Sequence, residues 1–432
     1  MNSRRAENEC FVYIVLPGET EFVTAGKLVL TTNARGIPSG RLVYGQSYLA
    51  RTNAVPIDPI GLKLDTRTYE TTLLKGVFGA LRDASPDFWG RRVIEKRAGL
   101  TELGEVDYLL HSPDDRAGAL GFGRNASPPA VRRAFNRTMD LERLQAIADA
   151  IIAGEDIPEA PEAEQAQDLL FGGTSMGGAR PKAVVEEDNI LWIAKFNRAD
   201  DKWNEARVEH AMLMLSRACG IQSADSKVVT IGDRDVLMVK RFDREHAGSG
   251  YRRGRMLSAL TLLRSDDDPQ RRENWSYVSL VEEVRRLSSQ PKEDGPELFR
   301  RMCFNALISN IDDHPRNHAM VAMDTDWKLA CAYDLTPSTP ISQEHRDLAL
   351  ECGDKGRFAN AENLVTQCAR FYLDEDAAAK IIDDIEASVR NNWYSVARRE
   401  GVTEQDCEKI STAFAYPGFF SRSHLGRGAH GG

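Results

Sequence analysis

No C-x-x-C pair occurs among the seven cysteines, which stand at positions 10, 219, 303, 331, 352, 368 and 407. An odd, scattered set argues for free thiols in a reducing compartment and against a disulfide framework or a structural zinc site. No apolar run approaches the roughly 18 residues that mark a membrane helix. The stretch Met1 to Cys10 leads into a strand-like segment without the apolar core and small-residue cleavage site of a signal peptide. Arg4-Arg5 is followed by no apolar region and reads as a solvated terminus. These absences lead us to expect a cytoplasmic protein with no membrane contact. A G-x-x-x-x-G-K-[ST] loop is also missing, which excludes a Walker A site. The net charge of −9 argues against nonspecific nucleic-acid binding by the whole chain. Arginine clusters at 252–255, 271–272, 285–286 and 300–301 read first as solvated faces and second as a phosphate-contacting surface.

What is present is ordinary in bulk and specific in detail. The chain has 432 residues, 42% apolar and 28% charged, enough for two or three lobes. Residues 11 to about 70 are β-rich, with Pro-Gly and Asn-Ala-Arg-Gly turns between apolar runs. A helix over 86–98 is expected to open at Ser85-Pro86 and to carry Phe88, Trp89, Val93 and Ile94 on its apolar side. A short helix at 139–153 precedes an acidic connection, Glu155 to Glu164. Residues 203–219 read as an amphipathic helix ending at Gly220, and 228–231 and 236–239 as a hairpin turned at Gly232 to Asp235. From about 256 the pattern is helical, at 276–288, 296–310, 360–372, 375–390 and 403–415. We therefore expect an N-terminal β-rich subdomain over 1–154, a nucleotide-binding lobe over 155–255, a helical lobe over 256–423, and a poorly ordered Gly-rich tail over 424–432. No internal repeat is evident.

The most informative residues are Asn310-Ile-Asp-Asp-His-Pro-Arg-Asn317, followed by Ala332-Tyr-Asp-Leu-Thr-Pro337. They give an Asp, an amide five residues on, and a second Asp twenty-two residues after the first: Asp312, Asn317 and Asp334. Mg-dependent phosphoryl transfer needs this set. One carboxylate accepts the proton of an attacking hydroxyl, while an amide oxygen and a second carboxylate supply hard ligands to the metal. Protein kinases use the same Asp-x-x-x-x-Asn spacing before a later metal-binding Asp. Upstream lies a small-residue loop, Gly172-Gly-Thr-Ser-Met-Gly-Gly-Ala-Arg-Pro-Lys182, then two strands about the turn Glu186 to Asn189. The second strand, Ile190 to Phe196, carries Lys195 near its end, where a kinase keeps its phosphate-holding lysine. Glycines such as Gly177 and Gly178 let backbone N–H groups approach phosphate oxygens.

Two other readings stand beside this one. His314 and His318, with Asp312, Asp313 and Asp334, are the residues a metal-dependent hydrolase would use, although Pro315 breaks the helix on which such His pairs converge. A non-catalytic scaffold or co-repressor with a kinase-like fold is the other.

The chain resembles the HipA-type serine/threonine kinases, the toxin half of bacterial type II toxin–antitoxin pairs. The resemblance rests on Ser175 to Lys182, the strand with Lys195, Val239-Lys-Arg-Phe-Asp-Arg244, Asn310 to Asn317, Tyr333-Asp334, and Asp115-Arg-Ala-Gly-Ala-Leu-Gly-Phe122. It implies a bilobal α+β kinase-like fold with an N-terminal β-rich subdomain and a helical C-terminal lobe, and an ATP- and Mg²⁺-dependent activity. Asp312 is implied as catalytic base, and Asn317 and Asp334 as Mg²⁺ ligands. ATP is implied to meet Lys195, Gly177, Gly178, Lys240, Arg241, Phe242, His314 and Asn317. Ser175 is implied as an inhibitory autophosphorylation site, with Thr174 beside it. A translation factor such as an aminoacyl-tRNA synthetase is the implied substrate. A HipB-type helix-turn-helix antitoxin is the implied partner, and DNA would be met only through it. Arg316 stands where a Lys is common, and Lys240 where a Glu often stands in the hinge.

Overall fold

In the computed structural model, residues 8–99, 103–131, 134–154, 180–248, 250–339 and 342–419 are described. The acidic connection after 154, the glycine-rich loop with Thr174, Ser175, Gly177 and Gly178, and the tail lie outside them. The protein is a mixed α+β fold of two compact units. One gathers Met1–Ala199, Val229–Arg272 and Ala319–Trp327; the other gathers Asp200–Val228, Glu273–His318 and Lys328–Gly432.

The first unit holds most of the β-structure. Strands β1 (Glu9–Val15), β2 (Phe22–Thr32), β3 (Pro38–Tyr44), β4 (Tyr69–Thr71) and β5 (Leu120–Gly123) form a sheet ordered β4-β3-β2-β1-β5, with antiparallel neighbours throughout. The two runs at 22–24 and 27–30 are thus one long strand, its register shifting where Gly26 lies too close to Val43 to admit a side chain. A second sheet, ordered β6-β7-β8-β10-β9, is built from β6 (Asn136–Arg137), β7 (Lys182–Glu187), β8 (Ile190–Phe196), β9 (Ser226–Ile231) and β10 (Arg234–Lys240). Asp188 and Asn189, at φ 52° and 61°, make the left-handed two-residue turn that matches the twist of β7 and β8. The core under this sheet collects Trp89, Val93, Ile94, Leu141, Leu144, Ile151, Ala194, Phe196, Val236 and Met238.

The helix expected from Ser85-Pro86 starts two residues later, at Phe88–Ala98. Its cap is Asp87, whose Oδ1 accepts the N–H of Gly90 at 2.7 Å. Phe88 is 64% exposed, contrary to the expected apolar side: it is the first helical residue and stands about 100° round the helix from Trp89, off the face that carries Trp89, Val93 and Ile94 to the core. The helical reading after 256 also misses a strand: Arg255–Ser258 pairs antiparallel with Ala319–Ala322, a partner some sixty residues away that no local pattern announces. Of the arginines at 252–255, Arg253 and Arg255 are buried, donating to Asp114 O and Asp324 O, so they form no solvated patch.

Two motifs meet inside this unit. Arg241 donates to Asp243 (2.9 and 2.8 Å), to Asp115 Oδ1 (2.6 Å) and to the carbonyl of Arg116 (2.8 Å). Arg244 reaches Asp243 Oδ2 (2.8 Å), Gly118 O (2.9 Å) and Asp115 Oδ1 (3.4 Å). Gly118 N–H donates to Asp243 Oδ2 at 2.8 Å. All four charged side chains are essentially sealed from water. Burial would raise the Asp243 carboxyl, but Arg241 and Arg244 outweigh it and hold it far below the usual carboxylate range.

The second unit is helical. Pro291–Leu307 packs on Tyr277–Leu287 and Glu375–Arg399, and the latter packs on Glu205–Ala218. The central helix begins five residues before the expected Pro296. Pro291 takes its first turn, and Asp294 closes the approach by accepting from Ser288 Oγ, Gln290 Nε2 and the N–H of Leu329. No helix among the described residues is long and apolar enough to cross a membrane.

Asp243→Ala would leave Asp115 alone to balance two buried guanidinium groups, so it should cost about 3–5 kcal/mol, measured as an earlier urea transition. The depressed carboxyl also sets a pH dependence. Its contribution is complete above the ordinary carboxylate range and is lost as pH falls through the lower folded value. Wild type should therefore lose more stability than Asp243→Asn below about pH 4, read by urea titrations across that range.

Candidate active site

The candidate residues fall into two groups, one in each unit. In the first unit Lys195 lies on β8, between Ala194 and Phe196, which face the core, so alternation puts it on the other side of the strand. It is half-buried, with Lys182 directly across on β7 and Leu237 across on β10. Lys182, the last residue of the glycine-rich stretch, is buried and ion-paired to Asp87 Oδ2 at 2.6 Å. That pair fixes the exit of the loop to the cap of the helix Phe88–Ala98. After Lys240 the chain leaves the sheet; Arg241 N–H still donates to Leu191 O at 2.9 Å. Lys240 and Phe242 are half-buried. Arg241, expected to meet ATP, instead spends its guanidinium wholly on Asp115, Asp243 and Arg116, which gives its side chain a structural part.

In the second unit the helix Pro291–Leu307 ends at Ile308, and Ser309 takes a left-handed φ of 54°. This bend turns the chain into the loop 310–318. Arg346 holds it from below, donating to Ser309 Oγ, Ala413 O and Thr412 O. Within the loop, His314 N–H donates to Asp312 O (2.8 Å) and Asn317 N–H to His314 O (2.7 Å). His314 Nδ1 accepts from Arg316 N–H at 3.1 Å, capping the single turn Pro315–Asn317, and its ring meets the Trp275 ring edge-on at 4.2 Å. The amide nitrogen of Asn317 donates to Asp312 O at 3.4 Å, which leaves its oxygen as the group able to meet a cation.

Asp312 and Asp313 part company. Asp312 opens to solvent, whereas Asp313 is 1% exposed. Asp313 is met by His318 Nε2 at 3.0 Å and by the hydroxyl of Tyr277, which also accepts from Asn305 Nδ2 at 3.0 Å. Burial and Asp313 push the Tyr277 phenol well above its ordinary range, so it stays a donor. Asn310 Nδ2 bonds Asn305 Oδ1 at 3.1 Å. The Asp312 carboxyl is itself raised, first by partial desolvation, then by the charges of Asp334 and Asp313.

Asp334 arrives on a separate segment. Ala332 exchanges backbone bonds with Gln222 and Ala224, and the Tyr333 hydroxyl donates to Arg316 O at 2.7 Å, tying that segment to the loop. Asp334 itself sits at φ 59°, a left-handed position uncommon for a residue with a side chain and a mark of functional sites. The structure thus sets Asp334 near enough to Asp312 for its charge to act on that carboxyl, and ties the Asn317 amide to the Asp312 backbone, so that hard oxygen donors gather about one loop. That is the donor chemistry a Mg²⁺ ion relieves, so the residues fit the metal. His314 and His318 are engaged with the loop's own N–H and with Asp313, so they do not converge on a common ligand. No cluster of three or more His, Cys, Asp or Glu suited to a metal occurs among the described residues. Tyr277, Asn305 and Arg346 went unnoticed in the sequence, where each sits in unremarkable surroundings.

Comparison with known proteins gives the chain its relatives. The solved Shewanella oneidensis MR-1 toxin–antitoxin complex of HipA, HipB and operator DNA has a chain of the same fold, with TM-score 0.66 and 15% identity over 93% of this chain and 94% of that one. The Helicobacter pylori proinflammatory kinase CtkA aligns with TM-score 0.36 and 13% identity over 55% of this chain and 91% of its own. No curated protein matches by sequence. The family model for the HipA-like C-terminal domain matches residues 174–393, a span just over half the chain that contains Lys195, Asp312, Asn317 and Asp334, and the protein belongs to the HipA family.

Proposed function

We propose that this protein is an ATP- and Mg²⁺-dependent protein serine/threonine kinase acting as a HipA-type toxin. The observation that carries the reading is the loop 310–318, which turns Asp312 outward beside Asp334 while Asn317 stands at the end of the same turn. Asp312 would accept the proton of an acceptor hydroxyl at its carboxylate. Desolvation and the neighbouring carboxylates raise that carboxyl, which makes its ionised form a stronger base than an ordinary carboxylate. Asn317 and Asp334 would hold Mg²⁺, which when bound neutralises the phosphate charge that grows on the oxygens during transfer. Lys195 would pair with phosphate, and Lys240 and Phe242 would flank the adenine. The bilobal kinase-like arrangement belongs to this reading.

The partner and substrate follow from the same proposal. The Shewanella HipA was solved with HipB and operator DNA. We therefore propose a helix-turn-helix antitoxin as partner, with DNA met through it. A cytoplasmic translation factor, an aminoacyl-tRNA synthetase foremost, is the proposed substrate. Ser175, or Thr174 beside it, is proposed as a self-inhibitory phosphorylation site. A phosphate there adds about −1.5 to −2 charges in a glycine-rich loop where ATP phosphates would sit.

Asp312→Asn should lower phosphate transfer from labelled ATP by roughly 10²–10⁴-fold and relieve growth arrest on expression. Transfer at the wild-type rate would remove Asp312 from the role of base. For the metal, an ATP analogue at about a hundred times its Kd should stabilise wild type by about 2.7 kcal/mol, in a Mg²⁺-dependent way. Asp334→Ala should lose that gain while keeping its fold, as followed by thermal shift with and without chelator. Mass spectrometry after incubation with ATP should find phosphate on Ser175 or Thr174, with weaker ATP binding by the modified protein. An active kinase unmodified at both positions would rule out the self-inhibition.

A further inference from the structure

The buried cluster behind the loop has a task that none of its residues performs at the reacting atoms. Asp313 and His318 bracket the turn that carries Asn317, and Asp313 directly follows Asp312. Both are buried, at 1% and 3% exposure, and they are joined at 3.0 Å. Tyr277, from the helix Tyr277–Leu287, donates its hydroxyl to Asp313 Oδ2 and lies 3.2 Å from His318 Nε2. Asn305, from the helix Pro291–Leu307, donates to the Tyr277 oxygen, and Asn310 at the loop's entrance bonds Asn305. One helix thereby grips the loop at Asp313 and His318 through Tyr277, and a second grips its entrance through Asn305.

The donors and acceptors of the cluster fix which atoms carry its hydrogens at Tyr277 and at His318 Nε2. The Tyr277 hydroxyl has one proton, and Asp313 takes it. It has two lone pairs, and Asn305 and His318 can both donate to them. His318 Nε2 must then carry a hydrogen, which it shares between Asp313 and Tyr277, while Nδ1 has no partner. A hydrogen on Nε2 satisfies the contacts that this nitrogen makes. Each bond is made inside the protein, where an unmet partner is costly, so the cluster has little freedom to tilt.

We propose that Asp313, His318 and Tyr277 form a brace of positioning residues that fixes where Asp312 and Asn317 stand. The inference rests on the reading above, in which Asp312 is the base and Asn317 a metal ligand. It assigns the second Asp and the second His of the motif to support and not to coordination. A loop that carries base and ligand within six residues makes rate sensitive to small displacements. An error of about 1 Å at such a group can cost on the order of 10²-fold.

The test pairs a structural readout with a kinetic one on the full chain. Tyr277→Phe removes one hydroxyl. His318→Leu removes the ring's donor, and His318→Gln restores a donor near the place of Nε2. Amide hydrogen exchange over 309–318 should rise about tenfold in Tyr277→Phe and His318→Leu, with the helices Glu205–Ala218 and Glu375–Arg399 unchanged. In the kinase assay kcat should fall roughly 10- to 100-fold, with KM for ATP within about twofold, and His318→Gln should recover most of both losses. Unchanged exchange in the folded variants would overturn the brace. Faster exchange with unchanged kcat would overturn the positioning role. Should His318→Leu fail to fold, Tyr277→Phe alone decides. A wild type with no transferase activity would instead defeat the proposed function, and the exchange measurement would still report on the brace.

Discussion

A charge withdrawn from water must find its opposite and its hydrogen bonds at once, and that constraint organises both units. In the second unit the charge is Asp313. Tyr277 of one helix and the loop's own histidine converge on it, with Asn305 of a second helix behind the tyrosine, because leaving it unmet would cost several kcal/mol. The direction of its neighbour follows. With Asp313 locked inward, the short turn after it presents Asp312 to solvent and puts Asn317 at its far end. The arrangement of donors on the surface is set by a carboxylate that never reaches it.

The first unit solves the same problem with four charges. Arg241, Arg244, Asp115 and Asp243 sum to zero and share their donors with the carbonyls of Arg116 and Gly118. The network joins the end of β10 to the segment leading into β5. The strand bearing Lys195 and the chain that follows Lys240 are therefore anchored to the N-terminal sheet. Arg244 shows what such packing costs: burial, then the like charge of Arg241, draws its guanidinium down to about 9. The pair of arginines persists because both carboxylates are present. A second buried pair, Lys182 with Asp87, holds the exit of the glycine-rich stretch in the same manner.

Strain and like-charge proximity appear where the oxygen donors meet. Asp334 adopts a backbone conformation that side chains disfavour, and its charge raises the Asp312 carboxyl. Neither feature helps the chain fold. Under the proposed function, a cation shared by two carboxylates and an amide oxygen would account for both, and local departures from folding rules at a binding site are the usual pattern.

Much of this was legible in the sequence because it depends on short-range order. Apolar runs about the acidic turn Glu186 to Asn189 gave the β7–β8 hairpin that carries Lys195, and the spacing of Asp312, Asn317 and Asp334 marked the donors on which the proposed function rests. Spacing could not say which of two adjacent aspartates faces water; a helix residue thirty-six positions earlier, Tyr277, makes that choice. Nor could it show that Arg241 points inward, since Asp115 lies over a hundred residues away and only the folded unit makes them neighbours. The start of the helix at Phe88 and the strand Arg255–Ser258 escaped for the same reason. One is set by a cap that also pairs with Lys182, the other by a partner strand far along the chain. The sequence by itself determined which groups are available and how they are spaced locally. The tertiary structure decided which charges are buried, and burial chose what each neighbouring group is free to do.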